Sequence, residues 1–250
     1  MSYHIQEINR RIQTDPKEFV DACDAAYAEQ IERAARAIAE NVHTCPIVLL
    51  SGPSGSGKTT TAMKIAEALR KMGECQIMEV GPGLKSGVRI RMDNPAQLGA
   101  ELLCGAVAAL EEGPGPLAVI SADTAISIMA VNGKQELVGG VILPGPQLSL
   151  SALVQKTAQL PQIDLSAPAS SSILGKNTSA CLQNGFVLGT AGLLDGLAEH
   201  FQAELGPDIR FYATGNLPRT IREACRTPIQ YREYLITDGL YRIWQKNRKG

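Results

Sequence analysis

Asn132-Gly133, set between the apolar runs Ile126 to Val131 and Glu136 to Ile142, constrains this chain more than any other feature. Asn-Gly is the strongest short hairpin signal, because both residues accept the positive φ that a tight turn between two strands demands. The two runs are therefore expected to pair antiparallel. An all-parallel sheet has no place for such a pair, so the expected architecture is α/β with a mixed sheet.

Other signals fill in that frame. Asp15-Pro16-Lys17-Glu18 supplies an N-cap, a proline at the first helical position and an acid three residues after the cap. Phe19, Cys23, Tyr27, Ile31, Ala34 and Ile38 follow at three- and four-residue steps, which predicts one amphipathic helix ending near Asn41. Strands are expected at Pro46 to Ser51, Cys75 to Val80, Leu117 to Ser121 and Arg210 to Ala213. Helices are expected over Thr60 to Arg70, Pro95 to Leu110, 148–159, 177–204, 217–225 and 231–246. Gly81-Pro82-Gly83 and Gly113-Pro114-Gly115-Pro116 mark breaks, and Ala167 to Ser172 reads as a small-residue loop. A change of texture near residue 80 divides the chain into 1–79 and 80–250.

Composition closes off several classes of function. With 250 residues, 44% of them hydrophobic, the chain can bury one large core or two small ones. Its net charge of −1 is spread over interleaved acids and bases, leaving no electrostatic footprint for nucleic acid or an anionic membrane. Arg242 to Lys249 is locally basic, but it ends an expected helix, where cations complement the dipole. No segment reaches eighteen apolar residues and the N-terminus has no apolar signal stretch, so a cytoplasmic protein without a membrane partner is expected. The six cysteines form no C-x-x-C pair and none stands near a histidine at ligand spacing, which argues against zinc. His4, His43 and His200 form no constellation.

One motif carries chemistry by itself. Gly52-Pro53-Ser54-Gly55-Ser56-Gly57-Lys58-Thr59 is a complete G-x-x-x-x-G-K-[ST] phosphate loop between an apolar run and a helical one. Gly52, Gly55 and Gly57 let successive N–H groups point into one anion-binding concavity at a helix N-terminus. Lys58 would reach the terminal phosphates, and Thr59 would place its hydroxyl on a phosphate-bound Mg2+. The bland alternative is a glycine-rich turn with a solvated lysine.

Two resemblances follow from these residues. Segment 15–73, with Val48-Leu49-Leu50-Ser51 leading into the loop, resembles the opening of uridine-kinase-like P-loop nucleoside kinases. In that family a strand acid and a basic lid come next, whereas here Cys75-Gln76-Ile77-Met78-Glu79-Val80 leads elsewhere. From Val80 to about Asn247 the chain is similar to type III pantothenate kinases. The ordered series includes Gly81-Pro82-Gly83-Leu84-Lys85-Ser86-Gly87, Asp93-Asn94-Pro95, Gly99-Ala100-Glu101, Gly139-Gly140, Pro144-Gly145, Gly175-Lys176-Asn177-Thr178, Thr214-Gly215-Asn216 and Asp238-Gly239-Leu240.

The second resemblance implies the C-terminal part of an actin-like fold (sugar kinase/Hsp70-type, ASKHA), preceded here by a helix and a P-loop βα unit. It implies ATP-dependent phosphorylation of pantothenate to 4′-phosphopantothenate, the first step of coenzyme A synthesis. A divalent cation, a monovalent cation (K+ or NH4+) and a homodimer belong to the same expectation. Glu101 would be the general base on the pantothenate hydroxyl, and Gly99 and Thr178 would contact substrate or phosphate. The family has Asp where Glu101 stands, so the carboxylate sits about 1.5 Å further out, where a misplacement near 1 Å can cost about 10²-fold in rate. The family's next residue is a substrate-holding arginine, and here it is Leu102.

The phosphate motifs depart as well. The family's Asp-x-Gly-Thr falls on Ser121-Ala122-Asp123-Thr124, moving the acid about 6–7 Å along the strand. Asp123 is thereby a candidate magnesium partner for Thr59, or simply a strand-end acid capping a turn. Thr124 and Gly215 are the expected phosphate contacts of this half, with Asn216 where the family's Thr-Gly-Gly ends in glycine. The family's opening Asp-x-Gly-Asn-Thr loop has no counterpart between Met1 and Val80, and Lys58 with the Gly57 backbone would hold ATP in its place. Two further readings stay open: a non-catalytic nucleotide-binding or dimerising homologue, and a P-loop uridine or nucleoside kinase.

Overall fold

Asn132 does close a hairpin. Strands β3 (Ala125–Val131) and β4 (Glu136–Pro144) pair antiparallel, and the Asn132 side-chain oxygen accepts from the N–H groups of Lys134 and Glu136 at 2.9 and 3.0 Å. The turn is longer than a two-residue one, with Gln135 at φ 58°. In this computed structural model residues 4–45, 47–50, 56–73, 77–81, 83–167 and 172–248 are described. The chain divides into two units, Met1–Glu79 and Val80–Gly250.

In the second unit, β1 (Arg89–Ile90), β2 (Leu117–Ala122), β5 (Arg210–Gly215) and β6 (Ile229–Tyr231) complete one sheet of order β1-β4-β3-β2-β5-β6. Pairs β1/β4, β2/β5 and β5/β6 are parallel, and β2/β3/β4 are antiparallel, so the sheet is mixed. Alternation along β2 sorts the core into two layers. Leu117 and Val119 meet α4 (Ala100–Glu111) and α8 (Leu235–Asn247) on one face. Ala118, Ile120 and Ala122 meet α6 (Thr178–Leu205) and α7 (Arg219–Ala224) on the other. The remaining helix of this unit, α5 (Pro146–Lys156), follows β4 directly.

Several boundaries move for local reasons. The helix expected over Pro95 to Leu110 breaks into a 3-10 turn, Pro95–Gln97, and α4, because Leu98 and Gly99 are extended. That break sets Gly99 at the N-cap of α4. Where one helix was expected over 231–246, Ile229–Tyr231 instead adds a strand to the edge of the sheet and α8 begins at Leu235.

The first unit corrects the sequence reading more sharply. It holds α1 (Ile5–Thr14), α2 (Pro16–Asn41) and α3 (Lys58–Met72), with the Asp15 side chain accepting from Glu18 N at 2.9 Å as its cap pattern requires. Its core is small: Ala35, Ala39 and Leu69, flanked by Ile38, Ile65, Ala68, Met72 and Ile77. No strand occurs among the described residues of this unit, so the strand expected to lead into the phosphate loop is not seen over Ile47 to Leu50, and 51–55 of the loop lie outside the described residues. Ile47–Leu50 and 77–80 are irregular, and Val48, Leu49 and Leu50 are 51%, 60% and 42% exposed instead of buried. The physical reason is that a strand satisfies its backbone only against a neighbour, and an apolar run without a sheet to join has nothing to pair with.

Candidate active site

The parallel strands β2, β4 and β5 all end at one edge of the sheet, and the chain makes that edge the starting point of its helices. α4 ends beside the start of β5, where the Arg210 guanidinium donates to the carbonyls of Glu112 and Gly113, so its first turn lies toward the edge where the strands end, and α5 and α7 begin directly after β4 and β5. First turns therefore gather where open α/β sheets bind ligands, outside the carboxyl ends of strands. Their unpaired N–H groups and positive dipole ends favour an anion.

At this edge lies a cleft of about 420 Å³, lined by Asp123 and Thr124 after β2, Asn216 after β5, and Pro146, Gln147 and Ser151 on α5. Its floor is rigid. Gly215 sits at φ 82°, where a Cβ would run into the Ala122 carbonyl, and its own carbonyl accepts from Tyr231 Oη at 2.9 Å. Gly145 N donates to Thr124 O at 2.9 Å, and a Cβ there would collide with the carbonyl of Asp123. Only glycine fits either approach. Asn216 Nδ2 donates to Asp123 Oδ1 at 3.1 Å across the mouth.

The expected residues divide into three groups. Asp123 and Thr124 line the cleft, with Gly215 one residue from its wall. Gly99 and Glu101 are exposed at the first turn of α4, and Thr178 is exposed at the first turn of α6, behind an Asn177 cap that accepts from Ala180 N at 2.9 Å. α4 and α6 cover opposite faces of the sheet, and the residues of α6 that pack against it begin at Val187, nine positions after Thr178. Gly57, Lys58 and Thr59 open α3 in the first unit, Gly57 at φ 76° as its N-cap. Gly52 and Gly55 lie outside the described residues. Leu102 is 6% exposed and packs in the core, so it serves structure where an arginine would serve substrate.

Sequence reasoning missed Gln147 and Ser151, although Gly145-Pro146 announced the helix that carries them. It also missed a row of hydroxyls, Ser121, Ser127 and Thr214, which are register partners across three strands beside this edge. Ser121 and Thr214 stand in the quoted motifs, but only the strand register shows that Ser127, near the start of β3, joins them. Among the described residues no group of three or more His, Cys, Asp or Glu is placed to hold a metal. Asp123 is the one carboxylate among the residues that line the cleft, and Mg2+ is commonly held through one or two carboxylates and the phosphates of its ligand.

Comparison with known proteins gives this edge a context. The family model described as type III pantothenate kinase matches residues 4–200. The chain is similar to a type III pantothenate kinase of Koribacter versatilis, 37% identical over 169 residues, covering 68% of this chain and 61% of that one. For one from Solibacter usitatus the figures are 37% over 170 residues, with coverage of 68% and 64%. One from Myxococcus xanthus is 36% identical over 183 residues, 72% of this chain and 71% of that one. The chain thus spans a little under two thirds of the length of the first two.

Proposed function

The chain belongs to the type III pantothenate kinase family, and from that premise we propose that it transfers the terminal phosphoryl group of ATP to pantothenate, giving 4′-phosphopantothenate. The observation that carries the reading is the cleft at the ends of β2 and β5, with a carboxylate, a threonine and the first turn of α5 around it. Phosphoryl transfer asks mainly for positioning and charge neutralisation. Thr124 and the Gly215 backbone contact the phosphates, and Asp123 holds magnesium, which when bound neutralises phosphate charge. Glu101 takes the proton from the pantothenate hydroxyl, while Gly99 and Thr178 contact substrate or phosphate from the starts of α4 and α6. The same reading includes an actin-like fold for the second unit, a K+ or NH4+ requirement and a cytoplasmic setting.

For the first unit by itself we propose a phosphate-binding role at the start of α3, where Lys58, Thr59 and the Gly57 backbone would meet the phosphates of a nucleotide. Lys58→Ala is expected to weaken ATP binding, read by calorimetry, about tenfold, the worth of a hydrogen bond to a charged group. Unchanged binding removes these residues from phosphate contact. The overall assay is ADP release by purified protein with ATP, Mg2+, K+ and either pantothenate or uridine. Turnover with pantothenate alone is the expected result, and turnover with uridine alone would transfer the activity to the nucleoside-kinase reading.

Buried Leu102 favours a second reading, a homologue that binds nucleotide without transferring it, because the substrate-holding arginine has no equivalent there. Calorimetry separates the two: pantothenate binding with turnover supports the kinase, and ATP binding without turnover supports the homologue. A homodimer is proposed through α6, where Gly185, Gly189, Gly192 and Gly196 recur at steps of four and three. None of the four would place a Cβ within 4 Å of anything, and Leu193 beside them is 44% exposed.

A further inference from the structure

Asp123 and Asn216 leave neighbouring strands at the same level, since Ala122 and Gly215 are partners in the parallel register of β2 and β5. Asn216 Nδ2 donates to Asp123 Oδ1 at 3.1 Å, while Asp123 Oδ2 has no hydrogen-bond partner among the described residues. The backbone under both side chains is pinned. Asp123 N donates to Ala125 O at 2.9 Å, Asn216 N donates to Ala122 O, and Gly215 between them is locked by its left-handed φ and by Tyr231. Both side chains also stand where the motifs compared above carry glycine, so each fills space at the mouth that the other must share.

We propose that Asn216 is a positioning residue for Asp123. By occupying Oδ1 it fixes one rotamer of an otherwise exposed carboxylate and leaves Oδ2 as the single protein ligand for the magnesium of a bound nucleotide. This rests on the reading of the cleft as the phosphate site. An exposed aspartate free to rotate would have to be ordered as the metal–nucleotide arrives, and the amide removes that cost beforehand. Asp123 is the one carboxylate among the residues that line the cleft, so the gain falls on this one oxygen.

The test is calorimetric titration of the full chain with Mg2+-loaded ADP and with ADP in EDTA, using wild type, Asp123→Asn, Asn216→Ala and Asn216→Ser. Thermal melts of the four proteins check that the exposed substitutions leave the fold intact. Mg2+ is expected to tighten ADP binding in the wild type, and Asp123→Asn to abolish that gain. Asn216→Ala should cut the gain about tenfold, as loss of a hydrogen bond to a charged group implies, and leave metal-free ADP within about twofold. Asn216→Ser, which keeps a donor, should recover most of it. If Asn216→Ala weakens both forms of ADP equally, or spares a gain that Asp123→Asn removes, the positioning role is overturned and the cleft reading stands. If the wild type binds neither form, or Asp123→Asn spares the gain, the cleft reading itself fails and the proposal falls with it.

Discussion

At Gly239, α8 passes so close to α4 that a Cβ would run into the carbonyl of Cys104. Val119 presses on Gly105, the next residue of α4, where a Cβ would lie only 2.9 Å from Val119 Cγ1. The layer over Glu101 is therefore held by close backbone approach. Gly239→Ala should destabilise the protein by about 1–3 kcal/mol through overpacking, read from the midpoint of chemical denaturation. An unchanged midpoint would mean that the two helices separate freely. Burial pushes the Cys104 and Cys225 thiols up to about 11, with the charges of Glu101 and Asp195 adding to it. Both stay protonated at pH 7, so alkylation should label the exposed Cys45 and Cys181 first, as peptide mapping will show. Labelling of Cys104 at an equal rate would contradict the packing of this layer.

Among the elements, α6 does more than cover the sheet. Its Asp195, 3% exposed, accepts at Oδ2 from the N–H of Arg226 at 3.0 Å and at Oδ1 from the N–H of Thr227 at 2.9 Å. Burial raises the carboxyl's pKa, but these donors and the Arg226 side chain outweigh it and hold it below the ordinary carboxylate value. A carboxylate with a depressed folded value contributes stability that is present above its unfolded value, near 3.9, and is lost as pH falls through the folded one. Asp195→Asn should therefore cost about 1–3 kcal/mol at pH 7, because two backbone donors lose a charged acceptor. The gap between wild type and variant should close as pH drops below about 4. A gap that does not change with pH would remove the charge from the explanation. The sequence carried no hint of this tie, because Asp195 lies on an apolar helix and its partners are thirty residues away. By contrast, the Asp15 cap, the hairpin and the buried run of β2 were legible, since each is specified by neighbours in the chain. The run before the phosphate loop differs at the element scale: Val48-Leu49-Leu50 has a strand's composition, but composition cannot supply the adjacent strand. At the cleft, Asp123 and Thr124 were found through their motif, whereas the Asn216 bond and Ser151 depend on which elements meet.

At the scale of the second unit, the mixed sheet makes one edge the starting point of α4, α5 and α7, and the proposed reaction belongs to that edge. The open stripe on α6 extends the argument to assembly. Wild type should sediment as a dimer and Gly189→Phe as a monomer, and a variant that remains dimeric would move the interface elsewhere. The most direct test of the central claim is mass-spectrometric detection of 4′-phosphopantothenate formed from pantothenate by wild type and by Glu101→Gln, both with ATP, Mg2+ and K+ saturating. The account predicts product from the wild type and a rate at least 10²-fold lower from the variant, as expected for loss of a general base. No product from a folded wild-type protein, or equal rates from the two, would contradict it.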